Sequence, residues 1–354
     1  MIIKVAVSGL GNVGRGLLGM WDQLAEWAGS NGVEPRLVAA VDSSAAVINA
    51  DGIDASALLH NKLTKARLSE ISGSKAIDAI KAIDETAPDV FVDMTPTNST
   101  DGEPGMSCVM HALEAGACVV VSSKNHLRSV EAMDGVERLA RQHSVAFFDG
   151  ASVMGGVPVF ELADGINAKI FGIRAILNGT SNYVLCQLES MEFDDAIASA
   201  IRLGYAEAEY GNDISGRDSA LKAVGLCNRL LGAKIPVGEV KLSGIREGML
   251  GIEGVDSELI RRTVARGRRI KLVCSIRRDG PAIRASVGPE FVDMADPLAS
   301  VSGINNAIEI RGMANQSEIS LFLSGPGAGG DVTASRVAAD IKKAMRFIRA
   351  SRRG

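Results

Sequence analysis

The segment IIKVAVSGLGNVGRGLL, residues 2–18, decides the fold because it predicts a strand, a glycine turn and a helix in succession. Residues 2–7 are nearly all apolar and rich in β-branched side chains, a pattern typical of a strand buried on both faces of a parallel sheet. The glycines that follow have the spacing GxGxxG. In this spacing Gly9 permits a tight turn, Gly11 lets a phosphate approach the backbone, and Gly14 lets the helix pack close to the strand.

The start of this first helix is a predicted cofactor site. The first N–H groups of a helix have no partner within the helix, and the helix dipole favours an anion beside them. A pyrophosphate is therefore expected at the amides of Asn12 and Val13. The alternative is a glycine-rich turn without a ligand. A GxGxxG that follows a strand and opens a helix favours a dinucleotide and a Rossmann-like, doubly wound parallel sheet.

Asp42 stands at the end of the next predicted strand, RLVAAV (36–41). A carboxylate at this position accepts hydrogen bonds from both hydroxyls of an adenosine ribose and repels a 2′-phosphate, which favours NAD. The neighbouring Ser43 and Ser44 leave NADP open as the cofactor. The alternative role for Asp42 is to cap the helix that follows.

Two further predicted strands, PDVFVDM (88–94) and CVVVSS (118–123), end at polar residues. In a doubly wound sheet the loops after the strand ends face the ligand. A charge in such a cleft is unfavourable unless it is paired or used, so Lys124 is a candidate catalytic residue; the alternative is a solvated loop lysine. Thr95, Pro96 and Asn98 are predicted beside the nicotinamide half of the cofactor, and Ser122 and Lys124 are further candidate cofactor-binding residues.

The segment GYAEAEYGNDISGRDSALK, residues 204–222, gathers four carboxylates and ends in a lysine. Glu207 and Asp213 are predicted on a loop. Asp218 and Lys222 are predicted on the following helix, where their spacing of four places them on one face. Carboxylates can hold a substrate ammonium, and a lysine beside an acid can give or take the proton of an alcohol. The alternatives are a solvated loop and a surface ion pair of little energetic weight.

Length and composition predict a two-domain cytoplasmic protein. The chain has 354 residues, 46% of them hydrophobic and only 4% aromatic, with 39 glycines, which favours an α/β fold. The net charge of −4 predicts neither a nucleic-acid nor a membrane partner, and the five cysteines, without a CxxC pair, predict reduced thiols. The expected dinucleotide-binding domain is 1–146, and a second domain is expected at 147–311.

Seven motifs together resemble the homoserine dehydrogenase family, and they extend along most of the chain. They are GLGNVG near the N-terminus, TPTN, VVVSSK, ASVMGGVP, LNGTSNYVL, the segment 204–222 and the late GPGAGGDVTAS. The chain resembles the short form of the family, without an ACT domain. The resemblance implies that 147–311 is an α+β substrate-binding, catalytic and dimerisation domain with a mixed sheet, and that 312–354 packs back on the first domain. It also implies a homodimer.

The resemblance also implies an activity, the reversible reduction of L-aspartate 4-semialdehyde to L-homoserine with NADH or NADPH. Lys222 matches the lysine commonly assigned as proton donor, Asp218 the acid beside it, and Lys124 a second lysine between the nicotinamide and the substrate. The matching substrate-site residues are Glu207, Asp213, Asp218, Gly179 and Thr180, and Gly327 and Gly329 match a glycine loop that closes on the cofactor.

The resemblance also implies a sodium site. Family members often bind this ion near a glutamate at the start of the loop that reads ASVMGGVP here. This chain has Gly150 at that position, with Asp149 just before it. The candidate ligands are therefore Asp149, after a shift of one residue, and main-chain oxygens around Val153 and Gly155. The alternative is that no ion is bound.

Two other functions remain open at this stage. Ser123 and Tyr210 depart from the family pattern, which leaves room for a reductase of another amino-acid semialdehyde or oxo acid. A non-catalytic regulator that senses NAD(P)H is the second alternative. The presence of Lys124, Asp218 and Lys222 together argues against a protein that has lost catalysis.

Overall fold

The chain forms two compact units. The structure, a computed structural model, describes residues 1–65, 67–98, 100–206 and 209–352. One unit comprises Met1–Ser152 and the chain from Gly329 onward, and the other comprises Val153–Ala328. Residues 312–328 were predicted to pack on the first domain together with the C-terminal segment. They lie in the second unit instead, because their backbone continues its sheet.

A six-stranded sheet organises the first unit. Its order is β3-β2-β1-β4-β5-β6, and its pairs are parallel except for the antiparallel pair of β2 and β3. The order reverses direction at β1, so the loops after β1 and β4 flank the switch point at which doubly wound sheets bind ligands. The strands are β1 (Ile2–Ser8), β2 (Glu34–Val41), β3 (Ala46–Ile48), β4 (Val90–Asp93), β5 (Cys118–Val121) and β6 (Phe147–Phe148).

Side chains cap the starts of several helices of the first unit. Asp54, Asp78 and Ser129 each accept a hydrogen bond from the N–H three residues further on, which satisfies one of the unpaired N–H groups of the first turn. These caps open α3, α4 and α6. The helices are α1 (Asn12–Gly19), α2 (Trp21–Ser30), α3 (Ala55–Thr64), α4 (Ala79–Thr86), α5 (Gly105–Glu114) and α6 (Val130–Gln142).

Both faces of this first sheet are covered, which confirms the prediction made from the apolar run at residues 2–7. Val5 and Val7 of β1 belong to one buried cluster, which includes Leu17 of α1. Ala6, between them, belongs to a second cluster with Phe91 of β4. Successive side chains of a strand point to opposite faces, so only a nearly continuous apolar sequence can fill both clusters.

A mixed sheet organises the second unit. Its order is β12-β11-β7-β9-β10-β8, antiparallel except for the parallel pair of β8 and β10. The predicted combination of a doubly wound sheet and an α+β unit with a mixed sheet is thereby confirmed. The strands are β7 (Lys169–Ile176), β8 (Lys241–Leu242), β9 (Arg268–Asp279), β10 (Ala282–Asp293), β11 (Asn305–Ala314) and β12 (Ser317–Pro326).

The remaining helices refine the expectations for residues 204–222. Residues between α9 and α11 were predicted as a loop, but the structure contains a short helix, α10, that carries Asp213. The last helix, α13, belongs to the first unit, where Ala334 packs against Gly16 of α1. The elements are α7 (Val159–Asp164), α8 (Gly179–Gln187), α9 (Phe193–Arg202), α10 (Gly211–Ile214), α11 (Arg217–Leu231), α12 (Ser257–Ala265) and α13 (Gly330–Ser351).

Candidate active site

The glycine turn after β1 has the geometry that a phosphate requires. Gly9 has φ +90°, and a Cβ there would lie 2.5 Å from the main chain of Met94. A Cβ on Gly14 would lie 2.2 Å from the carbonyl oxygen of Gly9. Around Gly11, by contrast, no described atom lies within 4 Å of a Cβ position. The turn is therefore closed by backbone on two sides and open beside Gly11, where a pyrophosphate could reach the amides of Asn12 and Val13.

Asp42 directly follows β2, as predicted, but its carboxylate already accepts hydrogen bonds from other groups of the protein. Oδ1 accepts hydrogen bonds from Ser44 N at 2.8 Å and Ser44 Oγ at 2.6 Å. Oδ2 accepts from Lys62 Nζ at 2.8 Å and from Leu68 N at 3.0 Å. Burial alone would raise the pKa of Asp42, but the bonds from Lys62, Ser44 and Leu68 lower it to about 2. The carboxylate thus organises its own loop, with exposed Ser43 beside it, and a contact with the ribose stays a prediction.

A buried carboxylate joins the ends of β4 and β5. Asp93 is fully buried and accepts hydrogen bonds from Thr95 Oγ1 at 2.6 Å and from Ser123 Oγ at 2.8 Å. Burial raises the pKa of Asp93, although the bonds from Thr95 and Ser123 oppose the rise. Ser122 N also donates to the Asp93 carbonyl, so the two strand ends are tied together. Sequence reasoning missed Asp93; its only signal was an acid closing a strand that is otherwise apolar.

The residues predicted to bind the cofactor lie around the Asp93 hydrogen bonds that connect the ends of β4 and β5. Thr95 and Pro96 follow β4, and Ser122 and Lys124 follow β5, its neighbour in the sheet. Lys124 is half-buried, and its main-chain N–H donates to Thr97 Oγ1 at 3.0 Å. The backbone at Lys124 is therefore fixed by the TPTN loop. This is the arrangement that the carboxyl ends of adjacent parallel strands produce.

The candidate sodium ligands have other contacts in the structure. The Asp149 carboxylate is buried, and its Oδ2 lies 3.2 Å from Nε2 of His126, which is also buried. In the second unit, Gly155 has φ +54°, and a Cβ there would lie 2.5 Å from the carbonyl oxygen of Gly327. Across the described ranges no group of three or more His, Cys, Asp or Glu side chains could hold a metal ion. A sodium site built on main-chain oxygens, including those around Val153, stays a prediction.

The acidic segment contains a buried ion pair. Asp218 and Lys222 lie on α11, with Lys222 Nζ 2.7 Å from Asp218 Oδ2. Lys222 Nζ also donates to the carbonyl oxygen of Leu177 at 2.7 Å, and Lys222 is only 9% exposed. The sequence placed the two residues on one helix face, and this is confirmed. The alternative of a solvated surface pair is wrong, because the side chains of Lys222 and Asp218 are only 11% and 15% exposed.

Asn178 connects this pair to the second acid of the segment. Its Nδ2 donates to Asp213 Oδ1 at 2.6 Å and to Asp218 Oδ2 at 3.0 Å. Its Oδ1 accepts from Ser181 N, so Asn178 also caps α8. One neutral amide therefore bridges two carboxylates that would otherwise repel each other. The sequence analysis did not single out Asn178.

Two predicted substrate-site residues hold the turn before α8. Thr180 Oγ1 donates to the carbonyl oxygen of Tyr205 at 2.6 Å, which fastens the start of α8 to the start of the acidic segment. A Cβ on Gly179 would lie 2.6 Å from the carbonyl oxygen of Ile304, so only glycine fits there. Glu207, the predicted substrate-binding glutamate, lies outside the described residues.

The late glycine loop begins beside β11 and ends at α13. A Cβ on Gly327 would lie 2.0 Å from Cγ of Asn306, so the loop backbone touches that amide. Gly329 precedes α13 with φ +124°, a conformation that L side chains rarely adopt. Gly327 is thus required by the close approach of the Asn306 amide and Gly329 by its backbone conformation, independently of any cofactor. No helix in the described part of the chain is long and apolar enough to cross a membrane.

Comparison with known proteins finds relatives of one family that match nearly the whole chain. The profile of the family described as Homoserine dehydrogenase matches residues 158–341. An NAD(+)-dependent homoserine dehydrogenase of Pseudomonas canavaninivorans is 36% identical over 96% of this chain and 95% of its own length. A homoserine dehydrogenase of Methanocaldococcus jannaschii is 31% identical over 96% of this chain and 97% of its own.

A solved structure of a member of this family is also similar to this chain. It is a hyperthermophilic archaeal homoserine dehydrogenase in complex with NADPH, with 28% identity, a TM-score of 0.79, and coverage of 97% of this chain and 98% of the other. The resemblance predicted from the motifs is confirmed. The chain therefore belongs to the homoserine dehydrogenase family, a family of NAD(P)-dependent oxidoreductases that act on a CH–OH group.

Proposed function

We propose that the chain interconverts L-aspartate 4-semialdehyde and L-homoserine with NAD or NADP, and that the Asp218–Lys222 pair carries the proton transfer. The observation that carries the proposal is the buried ammonium of Lys222, 2.7 Å from both Asp218 Oδ2 and the Leu177 carbonyl oxygen. An ammonium has three N–H donors, and these two acceptors fix the direction of the third. A proton donor fixed in direction and shielded from water suits an oxygen that becomes an alcohol.

Reduction adds a hydride to the aldehyde carbon and a proton to its oxygen. The nicotinamide, when bound, supplies the hydride or takes it up in the reverse direction. Lys222 gives the proton to the oxygen on reduction and accepts it from homoserine on oxidation. Asp218 holds the Lys222 ammonium in place. Lys124 is assigned to electrostatic stabilisation on the cofactor side, where a second cation favours the developing oxyanion.

The carboxylates of the acidic segment suit the substrate ammonium. Asp213 is assigned to bind it, together with Glu207, the predicted substrate-binding glutamate. Asn178 bridges the two acids, because its amide donates a hydrogen bond to each of Asp213 and Asp218 and so offsets their mutual repulsion. Thr180, through its bond to Tyr205, sets the start of this segment.

The cofactor contacts are assigned to the first unit and to the late glycine loop. The open side of the turn at Gly11 fits a pyrophosphate. Asp42 is assigned to hold the loop that meets the adenosine ribose, because its oxygens are bonded to Ser44, Lys62 and Leu68. The full set of assigned residues is Gly9, Gly11, Asn12, Val13, Gly14, Asp42, Ser43, Thr95, Pro96, Ser122, Lys124, Gly327 and Gly329.

The functional unit is proposed to be a homodimer in the cytoplasm. Along β12 every residue is exposed or half-buried, although Ile319, Leu321 and Leu323 are large and apolar. A second copy that covers this strand would remove their surface from water. The free cysteines of the described chain suit a reducing compartment. Light scattering during gel filtration tests the dimer, and a monomer at working concentration would contradict it.

The experiment that tests the function is the absorbance of reduced nicotinamide during reaction with L-homoserine, with NAD and NADP measured in parallel. L-Serine, shorter by one methylene, is the matched control substrate. We expect turnover with L-homoserine and a kcat/KM at least about tenfold lower for L-serine, since one methylene misplaces the hydroxyl. Cofactor binding without turnover would instead favour a regulator. Turnover only with another semialdehyde would favour the alternative reductase.

A further inference from the structure

Asn306 is a fully buried polar residue close to the proposed proton donor. It lies on β11, directly before the buried apolar residues Ala307 and Ile308. A leucine would fill the same space without a polar atom to satisfy. A buried amide in such surroundings is expected to have a specific use.

The use of its amide nitrogen is visible. Nδ2 of Asn306 donates to the carbonyl oxygen of Leu177 at 3.2 Å, and Lys222 Nζ donates to the same oxygen at 2.7 Å. The amide orientation follows from the chemistry, because a carbonyl can only accept and Nδ2 is the donor end. The Leu177 oxygen therefore stands between Asn306 and Lys222 and is fixed by both.

The oxygen end of the Asn306 amide makes no such hydrogen bond with the described residues. Asn306 Oδ1 is buried and has no hydrogen-bond partner among the described residues. Leaving a buried acceptor unsatisfied is unfavourable, so the bond from Nδ2 to Leu177 is formed at the expense of its own Oδ1. This points to selection for the donor, not for the packing.

The backbone before Asn306 is held by a second buried cluster, formed by Asn182 and Lys271. Asn182 Nδ2 donates to the carbonyl oxygens of Gly303 at 2.9 Å and Asn305 at 3.3 Å. Lys271 Nζ donates to Asn182 Oδ1 at 2.9 Å and to the Val301 carbonyl oxygen at 2.5 Å. Burial lowers the pKa of Lys271. These bonds fix the segment that ends at Asn306, so the position of its amide is set in advance.

We infer that Asn306 is a positioning residue for Lys222, a conclusion that rests on the proposed function of Lys222 as proton donor. Asn306 holds the Leu177 carbonyl in the place where it orients the Lys222 ammonium. Without this bond the carbonyl can turn, and the ammonium follows it. The loss falls on the proton-transfer step and not on binding of substrate or cofactor.

The test uses the full chain and two substitutions. Asn306→Leu keeps the branched shape and removes the donor, and Asn306→Asp keeps the shape most closely and replaces the donor by an acceptor. We expect each to lower kcat by about 10- to 100-fold, with KM for L-homoserine and Kd for the reduced cofactor within about threefold of wild type. In a Lys222→Met background either substitution should lower the residual kcat by less than about threefold, because both act through one group.

Ser324→Ala is the matched control, since Ser324 Oγ donates to the main-chain oxygen of Asn306 at 3.2 Å and leaves Leu177 untouched. Thermal melting identifies a variant that does not fold; Asn306→Asp decides the test if Asn306→Leu unfolds. Unchanged kcat in a folded variant overturns the inference, as does an equal loss in Ser324→Ala or a loss that appears only in KM. Absence of turnover in the wild type would refute the proposed function instead.

Discussion

In each unit the described residues include a buried lysine–aspartate pair, and the two pairs have almost the same geometry. Lys62 Nζ lies 2.8 Å from Asp42 Oδ2 in the first unit, and Lys222 Nζ lies 2.7 Å from Asp218 Oδ2 in the second. None of the four side chains is more than 15% exposed. Distance and burial alone therefore do not separate the two pairs.

The two pairs differ in the groups that form hydrogen bonds with them. Asp42 is bonded to donors that belong to the fold, including the main-chain N–H groups of Ser44 and Leu68. Around Asp218 and Lys222 the described neighbours include the side-chain amide of Asn178 and the Leu177 carbonyl. The first pair stabilises a loop, whereas the second orients an ammonium beside a further carboxylate. The inventory of neighbouring donors and acceptors is thus a better guide to function than the length of an ion pair.

The largest expected effect is a loss of kcat when Lys222 is substituted but not when Lys62 is substituted. Lys222→Met should lower kcat by about 10²- to 10⁴-fold, the range lost when a positioned proton donor is removed. Lys62→Met should leave kcat within about threefold of wild type and lower thermal stability instead. Steady-state kinetics with L-homoserine and melting curves of both variants decide this. An equal loss of kcat in Lys62→Met would break the comparison.

The next effect concerns the amide that bridges the two acids. Asn178→Ala should lower kcat/KM for L-homoserine by about 10- to 100-fold, because the amide that bridges Asp213 and Asp218 is lost and the two carboxylates then repel each other. It also removes a helix cap, at about 1 kcal/mol. Asp256→Ala is the control, since Asp256 caps α12 in the same way. Should both variants lose activity equally, the effect of Asn178 would be that of a cap alone.

Replacing Asp42 tests whether the first pair is structural. Asp42→Asn should lower the free energy of unfolding by about 1–3 kcal/mol, because Lys62 stays buried without its anion. The ratio of the Kd values for NADH and NADPH should change by less than about threefold, since the carboxylate is already bonded within the protein. Fluorescence titrations with both cofactors measure the ratio. A shift of about tenfold towards NADPH would restore a direct ribose contact.

The smallest effect is a pH dependence of stability. The folded pKa of Asp42, about 2, is below its ordinary value of 3.8, so the folded protein binds this proton less readily than the unfolded chain. The stabilisation is therefore complete above pH 3.8 and is lost as the pH falls towards 2. After allowance for screening by solvent it amounts to roughly 1 kcal/mol. Urea unfolding at pH 5 and pH 3 should show a smaller drop for Asp42→Asn than for wild type.

Much of the fold and part of the site could be predicted from local sequence. The apolar run at residues 2–7 predicted a strand buried on both faces, and the spacing of Asp218 and Lys222 placed them on one helix face. Both inferences rest on geometry that repeats within a few residues. The short helix α10 was missed because four residues of helix leave no periodic pattern.

Contacts between distant parts of the chain could not be predicted in this way. Lys222 meets the Leu177 carbonyl across 45 positions, and Asn178 meets Asp218 across 40. Lys62 reaches Asp42 across 20 positions, from a helix whose sequence gives no sign of the pairing. Such contacts depend on strand register and helix packing, which single-residue preferences do not encode.

The sequence by itself therefore determined the types of elements, the cofactor turn, the family resemblance and the list of charged residues that could do chemistry. Only the tertiary structure decided which of these charges are committed to the fold and which face one another in a site. The reason is physical. A side chain's role depends on the donors and acceptors that surround it once water is excluded, and those neighbours are supplied by segments far away along the chain.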